Sequence, residues 1–178
     1  MATVKELQQN AYESLKSQLG YVNPMQTPRL QKIVLSVGTG SLNDARKEEL
    51  IQDRLAKITG QKPAPRGARK SIASFKIREG HIIGYQVTLR GHRMYDFLEK
   101  FNHVVLPRTR DFRGISPSSI DEMGNLTIGM REHTVFPETS DEELRDVFGL
   151  AVTMVTSAGS REEAKALLQH LGVPFAEQ

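Results

Sequence analysis

The sequence predicts an α+β fold: two layers, with a mixed or antiparallel sheet covered by helices on one face and left open and polar on the other. Two observations predict it. Apolar residues recur at helical spacing in some segments and at every second position in others, with no internal repeat. The alternating segments carry polar, non-acidic side chains on their second face, namely Ser36, Gln86, Thr88, Arg90, Thr127 and Arg131. An antiparallel or mixed sheet tolerates such a half-covered arrangement, whereas an all-parallel sheet needs both faces buried. At 178 residues the chain is long enough to bury roughly 70% of its unfolded surface, so one domain over 1–178 is expected.

The elements follow in order. Val4, Leu7, Ala11, Leu15 and Leu19 lie at helical spacing and Gly20 ends them, which predicts an amphipathic first helix. Pro24 and Pro28 mark a loop. In KIVLSV, residues 32–37, Ile33, Leu35 and Val37 alternate with Lys32, Val34 and Ser36, the period of a strand, and a helix follows over about Leu42–Thr59. Ala73, Phe75 and Ile77 alternate, as do Ile83, Tyr85, Val87 and Leu89, so a hairpin connected through KIREGH is expected. Met94, Phe97, Leu98, Phe101 and Val105 return to helical spacing and should stop before Pro107. Leu126, Ile128 and Met130 form another alternating run, and a strand over Leu150–Thr156 precedes a last helix. That helix carries Ala164, Leu167, Leu168 and Leu171 and is ended by Gly172 and Pro174. Ser140 with Glu143, and Ser160 with Glu163, fit capping boxes.

Charge is partitioned along the chain. Residues 1–57 hold eight basic and six acidic residues, 58–113 twelve against four, and 121–178 four against eleven, giving +2, +8 and −7. The densest stretch is KPAPRGARKSIASFKIREG, where Lys62, Arg66, Arg69, Lys70, Lys76 and Arg78 face a single acid, Glu79. A Pro-, Gly- and Ala-rich segment has little with which to bury that charge, and phosphate backbones are its commonest partner. The acidic last third reads as a solvated face. Aromatics are few and tryptophan is absent, which disfavours a platform of rings for stacking bases.

Catalytic and metal-binding patterns are poorly matched. Gly38-Thr39-Gly40 follows a strand and precedes a helix, as a dinucleotide fingerprint does, but Asn43 stands where the third glycine belongs, so a tight turn is the better reading. His81, His92, His103, His133 and His170 include no pair four apart, so neither a metal nor a cofactor is expected. Glu132 and Glu138 flank His133 and form the best acid–base candidate for an enzyme. No cysteine is present for disulfides or thiolate sites, and no apolar run reaches membrane-span length. Nor does a charged-then-apolar leader precede the first helix, so a soluble, cytoplasmic protein is expected.

With these residues in view, the chain resembles the bacterial large-subunit ribosomal protein five family, which binds 5S ribosomal RNA. The resemblance runs nearly end to end and is carried by TGQKP at 59–63, ARKSIASFKIREG at 68–80, VTLRGHRMYDF at 87–97, PRTRDFRG at 107–114, GNLTIGMRE at 124–132 and FPE at 136–138. It implies an α+β domain whose open face docks on 5S rRNA in the central protuberance and which contacts other large-subunit rRNA. It also implies a basic loop, here about 62–84, that reaches toward peptidyl-site tRNA, and an edge that bridges to a protein of the small-subunit head.

The resemblance maps 5S rRNA contacts onto Gln61, Thr88 and Ser36, the last standing where the family usually has Asn, while Lys62, Arg66 and Arg90, in the basic loop and at a strand end, are expected to add phosphate contacts to the same RNA. Serine keeps a donor and an acceptor but loses amide reach, so a water bridge fits there. Arg69, Lys70, Ser71, Lys76 and Arg78 would face tRNA. Arg108, Arg110 and Arg113 would make other RNA or bridge contacts, unless Asp111 ties one of them into a loop-fixing pair. The implied role is scaffolding rather than catalysis.

Overall fold

A computed structural model describes residues 3–40, 45–110, 112–140 and 147–176. Helix α1 spans Val4–Leu19 and opens on a capping box, in which the Thr3 hydroxyl accepts from the Glu6 amide and the Glu6 carboxylate accepts from the Thr3 amide. It closes on Gly20, whose positive φ of 70° lets its amide bond back to the Lys16 carbonyl. Strand β1 is Leu30–Gly38, α2 Ala45–Thr59, β2 Ala64–Gly67 and β3 Ile82–Leu89. Then come α3 (His92–Lys100), a π-helical turn (Phe101–Val105), α4 (Leu106–Arg108), β4 (Leu126–Met130), β5 (Leu150–Thr156) and α5 (Arg161–His170).

The strands form one sheet in the order β2-β3-β1-β5-β4. Every neighbouring pair is antiparallel. Ala64 of β2 faces Gln86 of β3 and Arg66 faces Gly84. The Thr39 amide, just past β1, donates to the Ile83 carbonyl near the start of β3, at 2.8 Å. Arg29 before β1 meets Ser157 after β5, and the Thr127 and Thr153 hydroxyls of β4 and β5 lie 3.1 Å apart. On the inner face Ile33, Leu35, Val37, Tyr85, Val87, Leu89, Leu126, Met130, Leu150, Val152 and Met154 are buried. Each contributes roughly 1.5–3 kcal/mol by leaving water. Lys32, Ser36, Gln86, Thr88, Thr127 and Thr153 alternate with them and are half-buried or exposed, as expected for a half-covered sheet.

The chain divides into two compact units, one of residues 1–33, 89–128 and 153–178, the other of residues 34–88 and 129–152. In the first, α1 packs on α3 and α5; His170 Nε2 lies 2.8 Å from the Leu7 carbonyl, and Asn102 Nδ2 donates to the Leu171 carbonyl. In the second, α2 buries Ile51, Leu55 and Ile58, and the Tyr85 hydroxyl donates to Glu48 of α2 at 3.2 Å. Burial, then that carboxylate, pushes the Tyr85 phenol above its ordinary range.

Three expectations are corrected. Residues 73–77 are not a strand: Ala73–Phe75 is a 3₁₀ turn, and the partner of β3 is Ala64–Gly67. Pro65 disguises that strand, but at the sheet edge its missing N–H costs no ladder bond. The helix does not stop before Pro107. A π-turn intervenes, with the Leu106 amide bonding to the Phe101 carbonyl, so Pro107 falls in a new first turn where no donor is required. The Ser160 hydroxyl caps α5 through the Glu163 amide, but the Glu163 carboxylate accepts from Gly159 rather than closing a box. Positions 42–44 of the expected helix, and Glu143 of the other expected box, lie outside the described residues.

Candidate nucleic-acid interface

The outer face of the second unit brings several expected residues together. The Thr39–Ile83 bond sets Gly38 opposite Gly84, and by the same register Ser36 lies opposite Gln86, which also faces Ala64 on its other side. Thr88 lies two residues beyond Gln86 on the same face, toward the end at which Gln61 and Lys62 lead into β2. Gly60, at φ +66°, ends α2, and the Thr59 hydroxyl donates to the Leu55 carbonyl at 2.6 Å while accepting from the Gln61 amide. This fixes the Gln61 backbone. The Ser36, Gln61 and Thr88 side chains are half-buried, yet make no hydrogen bond among the described residues. Polar groups so placed without a partner are ready to exchange water for one.

Arg66 is exposed and is oriented rather than loose. Its Nε donates to Gln86 Oε1, and its remaining guanidinium donors make no bond among the described residues. The strand register, not local sequence, makes this pair, and the sequence marks Gln86 only as a polar-face residue. Gly84 makes the surface shallow: a Cβ there would stand 2.6 Å from the Val37 carbonyl oxygen.

The basic segment beyond β2 folds on itself. Ala68 and His81 are joined by N–H to carbonyl bonding, Gly80 donates to Ala68, and Ile72 and Ile77 exchange both backbone bonds at 3.0 and 3.3 Å. The Glu79 amide donates to the Ser71 hydroxyl. Arg69, Lys70, Ser71, Lys76 and Arg78 are all exposed, and the four cations make no ion pair among the described residues. A strand reading of the sequence hides Phe75, at the tip, since alternation would turn it inward.

Arg90, directly after β3, is exposed, as are Arg108, Arg110 and Arg113 of the first unit. None forms an ion pair among the described residues, and Asp111 lies outside them. The acid–base candidate does other work. His133 is fully buried, its ring stacks on Phe148 at 4.0 Å, and its Nδ1 accepts from the Phe148 amide. Thr39 is buried and bonded into the sheet rather than presented to a nucleotide. Among the described residues no three His, Cys, Asp or Glu converge on a metal position, and no helix is long and apolar enough to cross a membrane.

An antiparallel α+β sheet with one polar, cationic face and an exposed basic arm has the form of an RNA-binding protein of the ribonucleoprotein kind. The chain belongs to the ribosomal protein L5 family: residues 23–78 match the family described as "Ribosomal protein L5", and residues 82–175 match the C-terminus of the same family. Relatives agree over nearly the full length. The large ribosomal subunit protein uL5 of Rubrobacter xylanophilus is 50% identical over 177 residues, 98% of each chain. That of Anaeromyxobacter sp. strain K is 49% identical over 164 residues, 92% of this chain and 91% of its own, and that of Symbiobacterium thermophilum is 48% identical over 180 residues, all of both.

Proposed function

We propose that the protein is a structural constituent of the cytoplasmic large ribosomal subunit, binding rRNA and catalysing nothing, and that within it the whole chain works as one 5S rRNA-binding domain. Ser36, Gln61, Lys62, Arg66, Thr88 and Arg90 hold 5S rRNA. The arm, through Arg69, Lys70, Ser71, Lys76 and Arg78, faces peptidyl-site tRNA. Arg108, Arg110 and Arg113 touch other rRNA or the small-subunit head protein at a bridge.

The observation that carries this reading is the set of half-buried, unpartnered Ser36, Gln61 and Thr88 side chains beside an arginine held by Gln86. Cations there supply phosphate affinity, while hydroxyl and amide groups at fixed positions suit ribose 2′-hydroxyls, which duplex DNA lacks. Membership of a family whose relatives are large-subunit proteins supports the same partner class.

Competition among 5S rRNA, tRNA and duplex DNA tests it. Binding should favour 5S rRNA and fall with salt, each neutralised phosphate adding roughly 0.7 to 0.9 to the log–log slope. Equal affinity for duplex DNA, or a flat salt response, overturns the reading. Replacing Arg69, Lys70, Lys76 and Arg78 by Gln should spare 5S recognition and remove the arm's crosslinks to tRNA in assembled ribosomes.

A further inference from the structure

Phe75 is 69% exposed at the turn of the basic arm, and Ile72 beside it is 45% exposed, whereas Ile77 on the returning limb is half-buried. A phenylalanine left in water forgoes the burial that normally holds such a side chain inside. The turn that displays it is defined by backbone bonds: the Ile72–Ile77 pair closes its base and the Lys76 amide donates to the Ala73 carbonyl. Lys76 sits at φ 53°, the only non-glycine positive φ among the described residues, and a side-chain-bearing residue in that region carries backbone strain. Arg69, Lys70, Lys76 and Arg78 lie on the same arm, all exposed and without an ion pair among the described residues, against the single acid Glu79. An aromatic face among cations matches one ligand chemistry above others: a base held out of its stack, with its flanking phosphates. A paired duplex offers the phosphates but no free base face, and an apolar protein surface offers neither.

We propose that the arm is a base-stacking device, in which Phe75 lies against one unstacked base of an RNA loop while the four cations hold the phosphates on either side. Few aromatics disfavour a platform for several bases, but one ring suffices for one base. The proposal rests on the reading of the arm as an RNA contact, and narrows its target from any backbone to an unpaired loop.

The test uses the full chain with two labelled RNAs, a hairpin carrying an unpaired loop and a blunt duplex of the same stem. Wild-type protein should prefer the hairpin. Phe75→Ala should weaken hairpin binding roughly five- to a hundredfold and leave duplex binding unchanged. Phe75→Trp should retain the preference, and Phe75→Leu, apolar but without a π face, should behave as Ala does. Unchanged thermal stability in all three is expected because the ring is exposed. Equal loss on both RNAs, no loss, or a Leu variant that keeps the preference overturns the stacking. So does Phe75-dependent cosedimentation with phosphatidylserine vesicles in place of hairpin discrimination. If the fourfold Gln variant of the cations loses hairpin binding while Phe75→Ala does not, the arm still contacts RNA and stacking alone is refuted. If the fourfold variant binds both RNAs as wild type does, the arm reading falls together with the proposal.

Discussion

Arg66 donates its Nε hydrogen to the side-chain oxygen of Gln86 across the β2–β3 pair, and this bond turns a flexible surface cation into a directed one. Arginine has several rotatable bonds to immobilise on binding, and a partner that holds it beforehand removes part of that cost. Gln86→Ala should therefore weaken 5S rRNA binding although Gln86 itself is only half-buried, and Arg66→Ala should weaken it more. In a double-mutant cycle Gln86→Ala should cost little once Arg66→Ala is made, with a coupling of roughly 0.5–3 kcal/mol. Strictly additive losses would mean that the two side chains meet the RNA independently.

Thr88→Ala and Gln61→Ala should each weaken 5S rRNA binding by roughly 1–3 kcal/mol, the penalty of leaving a desolvated RNA group unpaired. Neither side chain bonds to the described protein, so thermal stability should stay near that of wild type. Ser36→Asn should be neutral or tighten binding, because the amide reaches further than the hydroxyl. The check is to measure melting temperature and RNA affinity on the same preparations. A fall in stability that parallels the loss of affinity would assign these residues to the fold instead.

Gly84→Ala tests the closeness of β1 and β3. The added methyl would stand 2.6 Å from the Val37 carbonyl oxygen, a backbone atom that cannot rotate away. The strands must separate, at a cost of roughly 1–3 kcal/mol, seen as a lower denaturant midpoint at constant m-value. Gly129→Ala is the control. It adds a methyl with nothing within 4 Å, and should change stability by less than about 0.5 kcal/mol.

How much of this was legible beforehand depends on the range of the interaction responsible. The inner and outer faces of β1, β3, β4 and β5 follow from a period of two, which local sequence displays; Ile33, Tyr85, Leu126 and Val152 are buried as their alternation requires. Ser36 and Thr88 were placed on the outer face for the same reason. The edge strand Ala64–Gly67 escaped because Pro65 and Gly67 are poor strand formers, and pairing with β3 overrides propensity. The turn at Ala73–Phe75 escaped because three alternating apolar residues suit a strand equally well, and the backbone pairs of Ala68 with Gly80 and His81, and of Ile72 with Ile77, decide otherwise. The Arg66–Gln86 bond spans twenty positions and exists only in the paired register. Local spacing carries no trace of it.

The turn that leads into β4 should make stability depend on acid. Asp121 accepts from the Asn125 amide at 2.7 Å and from the Asn125 side chain at 3.0 Å, and the same turn is tied to β5 where the Thr156 hydroxyl donates to the Gly124 carbonyl at 2.7 Å. Those bonds to Asn125, first from its backbone and then from its side chain, hold the Asp121 carboxyl below its ordinary value of 3.8. Folding thus favours the ionised form. The stabilisation is fully present above that ordinary value and is lost as pH falls through the lower, folded-state value. Asp121→Asn keeps an acceptor for the Asn125 amide but removes the charge, so its deficit in denaturant midpoint should be clear at neutral pH. It should shrink as pH falls below the ordinary carboxylate range and vanish once wild-type Asp121 is itself protonated. A deficit that stays constant across that range would show that the carboxylate charge contributes nothing to the turn, and that shape alone holds Gly124 against β5.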